Sequence, residues 1–137
     1  MVKASLKSDR DTVVAIKYIN DAFDSCHSAK NIYREIAILR HLSSMQENIF
    51  TVKLLDVIIP SALPSGSLQG QHPPGIFLVM SHVNHDLSHI FDKKKSISFD
   101  MGHAKIILYN MLCAVNFLHT ANVLHRDLKP SNLLLTD

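Results

Sequence analysis

The stretch that decides the fold is His125-Arg126-Asp127-Leu128-Lys129-Pro130-Ser131-Asn132. It reproduces the pattern H-R-D-L-x-x-x-N, in which five positions are fixed. At about one chance in twenty per fixed position, an accidental match in so short a chain is on the order of one in ten thousand or rarer. The position of the motif matters as well, because only the short segment 133–137 follows it.

Composition and charge indicate one ordinary globular unit. The chain has 137 residues and is 47% hydrophobic, which is enough to bury a core. Fourteen basic and twelve acidic residues give a net charge of +2, and their scatter along the sequence does not favour a nucleic-acid partner. The run Lys93-Lys94-Lys95 is the exception, and we interpret it as a solvated helix end rather than a docking patch.

The cysteines and the hydropathy pattern indicate the compartment. Cys26 and Cys113 lie far apart in sequence, so we expect a reducing environment without disulfides, with Cys113 a small core residue. No apolar run approaches the roughly eighteen residues of a membrane span, and the first residues lack the apolar region of a signal peptide. We therefore expect a soluble intracellular protein that does not contact a membrane.

The amino-terminal segment predicts a β-hairpin. Thr12 to Ile19 (TVVAIKYI) is rich in β-branched residues, follows the polar turn 7–11 and would pair with Val2 to Leu6. A period of two places Lys17 on the same face as the apolar residues Val13, Ala15 and Ile19. A lysine on a face that otherwise looks buried requires a partner.

A helix is predicted from Ser28 to His41. Ile32, Ile36 and Leu39 recur at offsets of four and three residues, which is typical of one helical face. Glu35 lies on this stripe, so its carboxylate should point toward whatever the apolar face covers.

The remaining elements complete the predicted fold class. Strands are expected at Val52 to Ile59 and Ile76 to Met80, with the Pro- and Gly-rich segment Pro60 to Gly75 between them. We interpret this segment as a surface loop, with a partner-binding site as the alternative. Further elements are predicted at Leu87 to Asp92 (helix), Phe99 to Thr120 (helix) and Leu133 to Leu135 (strand). Strands followed by helices argue for an α+β fold with a small sheet-based lobe first.

The apolar stripe of the helix Phe99 to Thr120 is too wide for a helix with one solvated side. We expect such a helix to be covered nearly all round. Without covering partners, a few hundred Å² of exposed apolar surface forfeits several kcal/mol at about 25 cal/mol per Å². The isolated chain is therefore expected to be marginally stable or prone to aggregation.

Three motifs in order carry a family resemblance. They are Val14-Ala15-Ile16-Lys17, the pair Arg34-Glu35, and the segment 121–132 that contains the opening stretch. The chain resembles a eukaryotic serine/threonine protein kinase and, within that family, is most similar to the mitogen-activated protein kinases. Lys129 agrees with the serine/threonine class. The longer Pro60 to Gly75 segment departs from the subgroup.

The resemblance implies a partial kinase domain over residues 1–137. Residues 1–80 would form the mainly β amino-terminal lobe with one regulatory helix, 81–86 the hinge, and 87–137 the start of a truncated helical carboxy-terminal lobe. The chain would begin just after the last glycine of the phosphate-covering loop and stop before the D-F-G magnesium site.

The resemblance also assigns phosphoryl-transfer residues. Lys17 would hold the α- and β-phosphates of ATP, and Glu35 would pair with the buried Lys17 ammonium; a purely structural salt bridge is the alternative. Asp127 would accept the proton of the substrate hydroxyl, Lys129 would neutralise the γ-phosphate, and Asn132 would bind Mg²⁺. The alternative for these three is a capped loop without catalytic function.

Adenine recognition follows from the same resemblance. Met80 would be the gatekeeper, Ser81 and Val83 would supply hinge backbone groups, and Asp86 would lie near the ribose. Val2 and Ala15 would sandwich the base, with plain strand core as the alternative.

Several nearby residues receive a different interpretation. The spacing of His82, His85 and His89 suggests a metal site, but the absence of a neighbouring cysteine favours solvated polar residues. His125 is interpreted as a residue that anchors the backbone rather than as a proton carrier. Arg126 resembles the residue that pairs with a phosphorylated activation loop.

The resemblance implies ATP and Mg²⁺ as cofactors, protein substrates with Ser or Thr acceptors, and an upstream activating kinase. It also implies a cytoplasmic protein, with the nucleus as a second compartment. We expect the parent protein to phosphorylate Ser or Thr and this chain alone to be inactive. The alternative is a non-catalytic truncated form that acts as a protein-binding or regulatory fragment.

Overall fold

The computed structural model describes residues 1–5, 12–60, 75–92 and 99–136. The predicted turn 7–11, the interior of the predicted loop and the lysine run 93–95 lie outside the described residues. The chain forms two compact units: Met1–Gln46 with Val52–His82, and Glu47–Thr51 with Val83–Asp137.

The first unit is built on a four-stranded antiparallel sheet. Its strands are β1 (Val2–Ser5), β2 (Val13–Ile19), β3 (Leu54–Ile58) and β4 (Ile76–Ser81), in the spatial order β1-β2-β4-β3. The predicted hairpin of β1 and β2 is therefore confirmed. β3 is shorter than predicted at both ends, and an irregularity between Leu54 and Asp56 interrupts its register with β4.

One helix, α1 (Cys26–Ser44), completes the first unit. It begins two residues before the predicted start because the Ser25 hydroxyl accepts the Ser28 amide hydrogen at 3.0 Å and caps the first turn. Its apolar stripe packs on the sheet as the spacing predicts. The buried core contains Ala22, Ile32, Ile76 and Leu78, and the half-buried residues around it include Ile19, Ile36, Leu39, Leu54 and Val57.

The second unit contains a short two-stranded sheet and two helices. β5 (His85–Asp86) pairs with β6 (Leu134–Leu135), α2 (Leu87–Asp92) follows β5, and α3 (Met101–Thr120) is the longest helix of the unit. A single 3₁₀ turn, Pro130–Asn132, precedes β6. The Leu87 amide also donates to the Leu133 carbonyl at 2.8 Å, which links the start of α2 to the residue between the 3₁₀ turn and β6.

Capping groups define the ends of α3. Asp100 caps its first turn by accepting the His103 amide hydrogen at 2.9 Å, so the helix begins at Met101 rather than at Phe99. Asn122 adopts a left-handed conformation, with φ of 58°, and Val123 N donates to Leu118 O at 2.8 Å. An asparagine in this conformation is a common way to end a helix.

The apolar surface of α3 is largely exposed in the chain. Met101 is 74% exposed, whereas Phe117 and Leu118 near the other end are buried. The exposed apolar side chains along the helix also include Ile106, Leu108, Tyr109 and Leu112. The expected covering of this helix on nearly all sides is thus not found among the described residues. Within those residues, no helix is long and apolar enough to cross a membrane.

The segment 47–51 lies with the second unit, although we predicted it in the amino-terminal lobe. The rings of Phe50 and Phe117 pack at a centroid distance of 5.5 Å, which attaches the segment to α3. Asn48, which is 1% exposed, holds the turn by accepting the Phe50 and Thr51 amide hydrogens and by donating to the Thr51 hydroxyl at 2.7 Å. Sequence periodicity carries no signal for such a contact.

The α+β class is confirmed. The first unit is a sheet with one packed helix, and the second begins the helical part, as expected for the amino-terminal part of a kinase-like fold.

Candidate active site

Lys17 and Glu35 form an ion pair in the first unit. Lys17 Nζ lies 2.6 Å from Glu35 Oε1, so the lysine on the sheet does find its partner on α1. The side chains are 40% and 37% exposed, and the expectation of a buried ammonium is therefore wrong. The pair lies at the margin of the core because Glu35 occupies the edge of the stripe whose centre is Ile32.

The β2–β4 register places a small residue opposite the expected gatekeeper. Ala15 pairs with Met80, and both are buried at 5% and 6% exposure. Because alternate residues of a strand share a face, Lys17 lies on the same side of the sheet as Ala15. The structure thus brings Lys17, Ala15 and Met80 to one face.

Val2 does not join them. Its register partner is Ile16, and Lys3 is the residue opposite Ala15. Directly paired residues of an antiparallel sheet share a face, so Val2 lies on the side opposite Ala15. Its side chain is 66% exposed. The expectation that Val2 and Ala15 enclose one base is therefore not supported, because the register differs by one residue from the one that it requires.

Ser81 and Val83 lie where the two units meet in sequence. Ser81 ends β4, and its amide donates to Lys53 O at 2.9 Å while its hydroxyl accepts the Lys53 amide hydrogen, also at 2.9 Å. An adenine contact from Ser81 would therefore have to use its carbonyl oxygen. Val83 is half-buried and begins the main segment of the second unit. The hydroxyl link to Lys53 was not anticipated from the sequence.

Asp86 caps the start of α2. Its Oδ1 accepts hydrogen bonds from the Ser88 hydroxyl and from the His89 amide, the latter at 2.9 Å. The Ser88 hydrogen bond, followed by the His89 amide, lowers the pKa of Asp86. A ribose contact would thus share this carboxylate with a helix cap. We did not predict this cap, although an aspartate just before an apolar helical segment is a capping signal that is visible in the sequence.

The polar residues of the loop 125–132 lie close together in the second unit. Lys129 Nζ lies 2.8 Å from Asp127 Oδ2. Asn132 Nδ2 donates to the same Oδ2 at 3.0 Å and to the Asp127 carbonyl at 2.8 Å. The pKa of Asp127 is lowered, first by the hydrogen bond from Lys129 and then by that from Asn132. The carboxylate is therefore ionised at neutral pH and can accept a proton.

The backbone of this loop is bent at Arg126. Arg126 has φ of 64°, a left-handed conformation that is uncommon for residues other than glycine. Across the bend, the Asp127 amide donates to His125 Nδ1 at 3.2 Å. The sequence motif identified these residues but gave no indication of the bend or of the hydrogen bond.

The donor atoms present fit the cofactors that the motifs imply. Asn132 uses its Nδ2 for Asp127, which leaves its amide oxygen, a type of ligand that Mg²⁺ binds. The half-exposed Lys17 ammonium, held by Glu35, suits a phosphate group. Both features are compatible with nucleotide binding.

The histidines near β5 show no metal arrangement. His85 and His89 stack at a centroid distance of 6.3 Å. Over the ranges 1–5, 12–60, 75–92 and 99–136, no group of three His, Cys, Asp or Glu side chains could hold a metal ion. Cys26 is exposed and Cys113 is half-buried, and both are free thiols.

Comparison with known proteins identifies the family. The protein kinase domain family matches residues 1–137. Mitogen-activated protein kinase 4 of Arabidopsis thaliana is 38% identical to the chain over an alignment that covers 98% of the chain and 32% of that relative. Mitogen-activated protein kinase homolog MMK2 of Medicago sativa is 36% identical over 98% of the chain and 33% of its own length. Mitogen-activated protein kinase 6 of Oryza sativa subsp. japonica is 37% identical, again over 98% of the chain and 32% of the relative.

The chain spans about a third of the length of these curated relatives. Its similarity to them extends over nearly all of its residues and confirms the resemblance drawn from the three motifs. The chain is thus similar to mitogen-activated protein kinases, and it belongs to the protein kinase domain family.

Proposed function

We propose that the protein containing this chain transfers the γ-phosphoryl group of ATP to serine or threonine hydroxyls of other proteins. The observation that carries the proposal is that Lys129 and Asn132 both contact the carboxylate of Asp127. All three residues lie in the loop whose sequence matches the H-R-D-L-x-x-x-N pattern. Phosphoryl transfer depends mainly on positioning and on charge neutralisation, which are the properties of these side chains.

The nucleotide would be held first by Lys17. Its ammonium carries the charge needed for the α- and β-phosphates, and Glu35 fixes its direction by the 2.6 Å contact. Ala15 and Met80 share the face of Lys17, and the small side chain of Ala15 leaves space for a flat base. We leave Val2 out of this pocket because its register places it on the other face.

For the other nucleotide contacts, the hydrogen bonds of the structure restrict which atoms we propose. Ser81 would offer its carbonyl, Val83 would offer backbone groups, and Asp86 would approach the ribose with the carboxylate that also caps α2.

Asp127 would act on the acceptor hydroxyl. The carboxylate is ionised at neutral pH, as an aspartate with an ordinary or lowered pKa is, and it would take the hydroxyl proton as the oxygen attacks phosphorus and the bond to ADP breaks. Lys129 would neutralise the negative charge on the transferred group, and Asn132 would bind Mg²⁺ through its amide oxygen. When bound, ATP supplies the phosphoryl group and Mg²⁺ neutralises phosphate charge.

We further propose that the 137 residues alone turn over far more slowly than a complete kinase. Among the described residues, Asn132 is the only side chain that we assign to Mg²⁺, and one amide oxygen is a weak site for this ion. The upstream activating kinase and the protein substrates belong to the whole protein and are part of the same proposal.

The test is a phosphorylation assay with labelled ATP and a generic basic protein as substrate. The protein expressed from its complete reading frame should label serine and threonine, and Asp127→Asn should reduce kcat by about 10² to 10⁴. Asp56→Asn, which changes an exposed aspartate of β3, is the matched control and should retain activity. Absence of transfer by the unaltered protein, or full activity of the Asp127 variant, would refute the proposal.

A second function is favoured by one observation. The exposed apolar side chains of α3, including Leu108 and Leu112, form a surface that a binding partner could cover. A non-catalytic form that binds other proteins would use this surface and would not need Asp127. Labelled-ATP transfer that is absent, together with a partner lost in Leu112→Lys, would favour this alternative.

A further inference from the structure

Lys3 lies on β1, and the proposed function assigns it no role. Its register partner on β2 is Ala15, and Ala15 in turn pairs with Met80 on β4. Directly paired residues of an antiparallel sheet share a face, so Lys3 lies on the same face as these two residues. The face on which we place the nucleotide base thus carries a lysine at the position where the resemblance implied Val2.

Lys3 is also a neighbour of Lys17. Lys17 follows Ala15 by two residues on β2, so Lys3 and Lys17 are diagonal neighbours on one face of the sheet. Residues in this relation lie roughly 7 to 8 Å apart, a distance that long side chains can bridge. The two ammonium groups can therefore reach the same bound group above the sheet.

The charges on this face favour an anion. Lys17 is paired with Glu35 at 2.6 Å, so the two ionised groups together carry no net charge. Asp56, the acidic residue of β3, pairs with Val79 and lies on the other face. In the part of the chain that the structure describes, no carboxylate forms an ion pair with the exposed Lys3. The net positive charge on this face of the described strands therefore comes from Lys3.

A lysine at the end of a sheet can also have a simpler role. β1 is an end strand of the described sheet, and charged side chains on such strands discourage pairing with other chains. That role requires a charge on either face of β1, whereas nucleotide binding requires it on the face of Ala15. Moving the lysine by one residue therefore distinguishes the two roles.

We propose that Lys3 is a second phosphate-binding residue, which supplies the positive charge that Glu35 neutralises at Lys17. A lysine can lay its methylene stem along an apolar surface while its ammonium reaches a polar group. In the complex, the stem of Lys3 lies against the base beside Ala15, and its ammonium contacts the phosphates. The inference rests on the proposed function, in which this face of the sheet binds ATP.

The experiment measures dissociation constants by calorimetry for the 137-residue chain with a non-hydrolysable ATP analogue and Mg²⁺, and separately with adenosine. Lys3→Met keeps an unbranched side chain but removes the charge. It should weaken binding of the analogue about three- to tenfold, because a partly screened charge contact is lost. Its affinity for adenosine should be unchanged, and Lys3→Arg should bind the analogue as the unaltered chain does.

The matched control moves the charge to the other face of β1. The double variant Val2→Lys with Lys3→Met has the net charge of the unaltered chain, and Val2 is 66% exposed, so a lysine can be accommodated there. This variant should bind the analogue as weakly as Lys3→Met does. Restored affinity would show that net charge alone is responsible and would overturn the inference.

A second measurement needs no variant. In the unaltered chain, the ATP analogue should slow acetylation of the Lys3 amine and leave that of the exposed Lys30 unchanged. A Lys3 amine that the analogue does not protect, or equal affinity of Lys3→Met and the unaltered chain, would overturn the inference. If Lys17→Met loses affinity while Lys3→Met does not, the proposed nucleotide site stands and only the role of Lys3 fails. Absence of binding by the unaltered chain would overturn both.

Discussion

At Asp127, two neighbouring side chains lower the pKa of the carboxyl group and fix the direction of the carboxylate. Lys129 contributes both a hydrogen bond and a positive charge, and Asn132 contributes a hydrogen bond. The side chains of Asp127 and Lys129 are more than half exposed, so water screens their attraction and the pair contributes little to overall stability. The ion pair instead directs the carboxylate and lowers its pKa.

Removing Lys129 should change the titration of Asp127. The folded pKa is lowered, so the stabilising contribution is complete above the ordinary aspartate value of about 3.9 and is lost as pH falls through the lowered pKa. In Lys129→Ala, the pKa of Asp127 should rise toward the ordinary value, whereas Lys129→Arg should keep it low. Carboxyl ¹³C shifts measured against pH give both values.

The carboxyl group of Asp86 provides an internal control in that titration. Its lowered pKa comes from Ser88 and His89, so it should not respond to the Lys129 variants. An Asp127 titration that is identical in Lys129→Ala and in the unaltered chain would show that the ion pair does not set this pKa.

At the scale of elements, hydroxyl groups attach β3 to its neighbours. The Ser43 hydroxyl near the end of α1 accepts the Leu54 amide hydrogen at 2.8 Å, and the Ser81 hydroxyl accepts that of Lys53 at 2.9 Å. These bonds lie beside the irregularity at Leu54, where the ladder with β4 is interrupted. They satisfy amides that the ladder leaves without a strand partner.

Ser43→Ala should destabilise the first unit. The variant leaves the half-buried Leu54 amide without its acceptor, at a cost of about 1 kcal/mol in the free energy of unfolding. Ser44→Ala is the matched control, since the Ser44 hydroxyl bonds the His41 carbonyl at the exposed end of α1 and its loss should cost about 0.5 kcal/mol or less. Chemical denaturation of both variants measures the difference, and equal stabilities would contradict the assigned role of Ser43.

The elements themselves could be predicted because their signals are local. The alternation in β2 and the spacing of Ile32, Ile36 and Leu39 each repeat over several residues, and the structure has a strand and a helix there. The pairing of β1 was not predictable in the same way. A slip of one residue moves every side chain of a strand to the other face, so the sequence could not show that Val2 and Ala15 lie on opposite faces of the sheet.

In the candidate site, too, local features could be predicted from the sequence and features that depend on packing could not. The motif could indicate that Asp127, Lys129 and Asn132 lie close together, because all three belong to one short stretch of sequence. It could not give the left-handed bend at Arg126, which depends on backbone geometry, nor the exposure of the Lys17–Glu35 pair, which depends on how α1 packs.

At the scale of the whole molecule, α3 determines how the chain behaves in solution. Leu108 and Leu112 are 51% and 57% exposed and lie one turn apart on the helix, beside the exposed ring of Tyr109. Exposed apolar surface of this kind promotes association between molecules. Because these side chains stay in contact with water, they do not contribute hydrophobic burial to the stability of the fold.

Replacing Leu108 and Leu112 together with lysine should therefore raise the concentration at which the chain stays monomeric. Fluorescence of a dye that binds apolar surface should fall about twofold, because two exposed side chains of the patch are removed. Leu118→Lys is the contrasting variant, since Leu118 is 6% exposed and a buried charge should unfold the second unit. Sedimentation and dye binding that are unchanged in the double variant would contradict this account of α3.

The central claim is that residues on one face of the sheet bind ATP and that Lys17 holds its phosphates. The most direct test is the dissociation constant of a non-hydrolysable ATP analogue with Mg²⁺, measured by calorimetry for the 137-residue chain, Lys17→Met and Lys30→Met. Lys30 is an exposed lysine of α1 and serves as the matched control. We predict binding by the unaltered chain and by Lys30→Met, with affinity at least about tenfold weaker in Lys17→Met because a charge-assisted phosphate contact is lost. Equal affinity in all three proteins, or no binding by the unaltered chain, would contradict the claim.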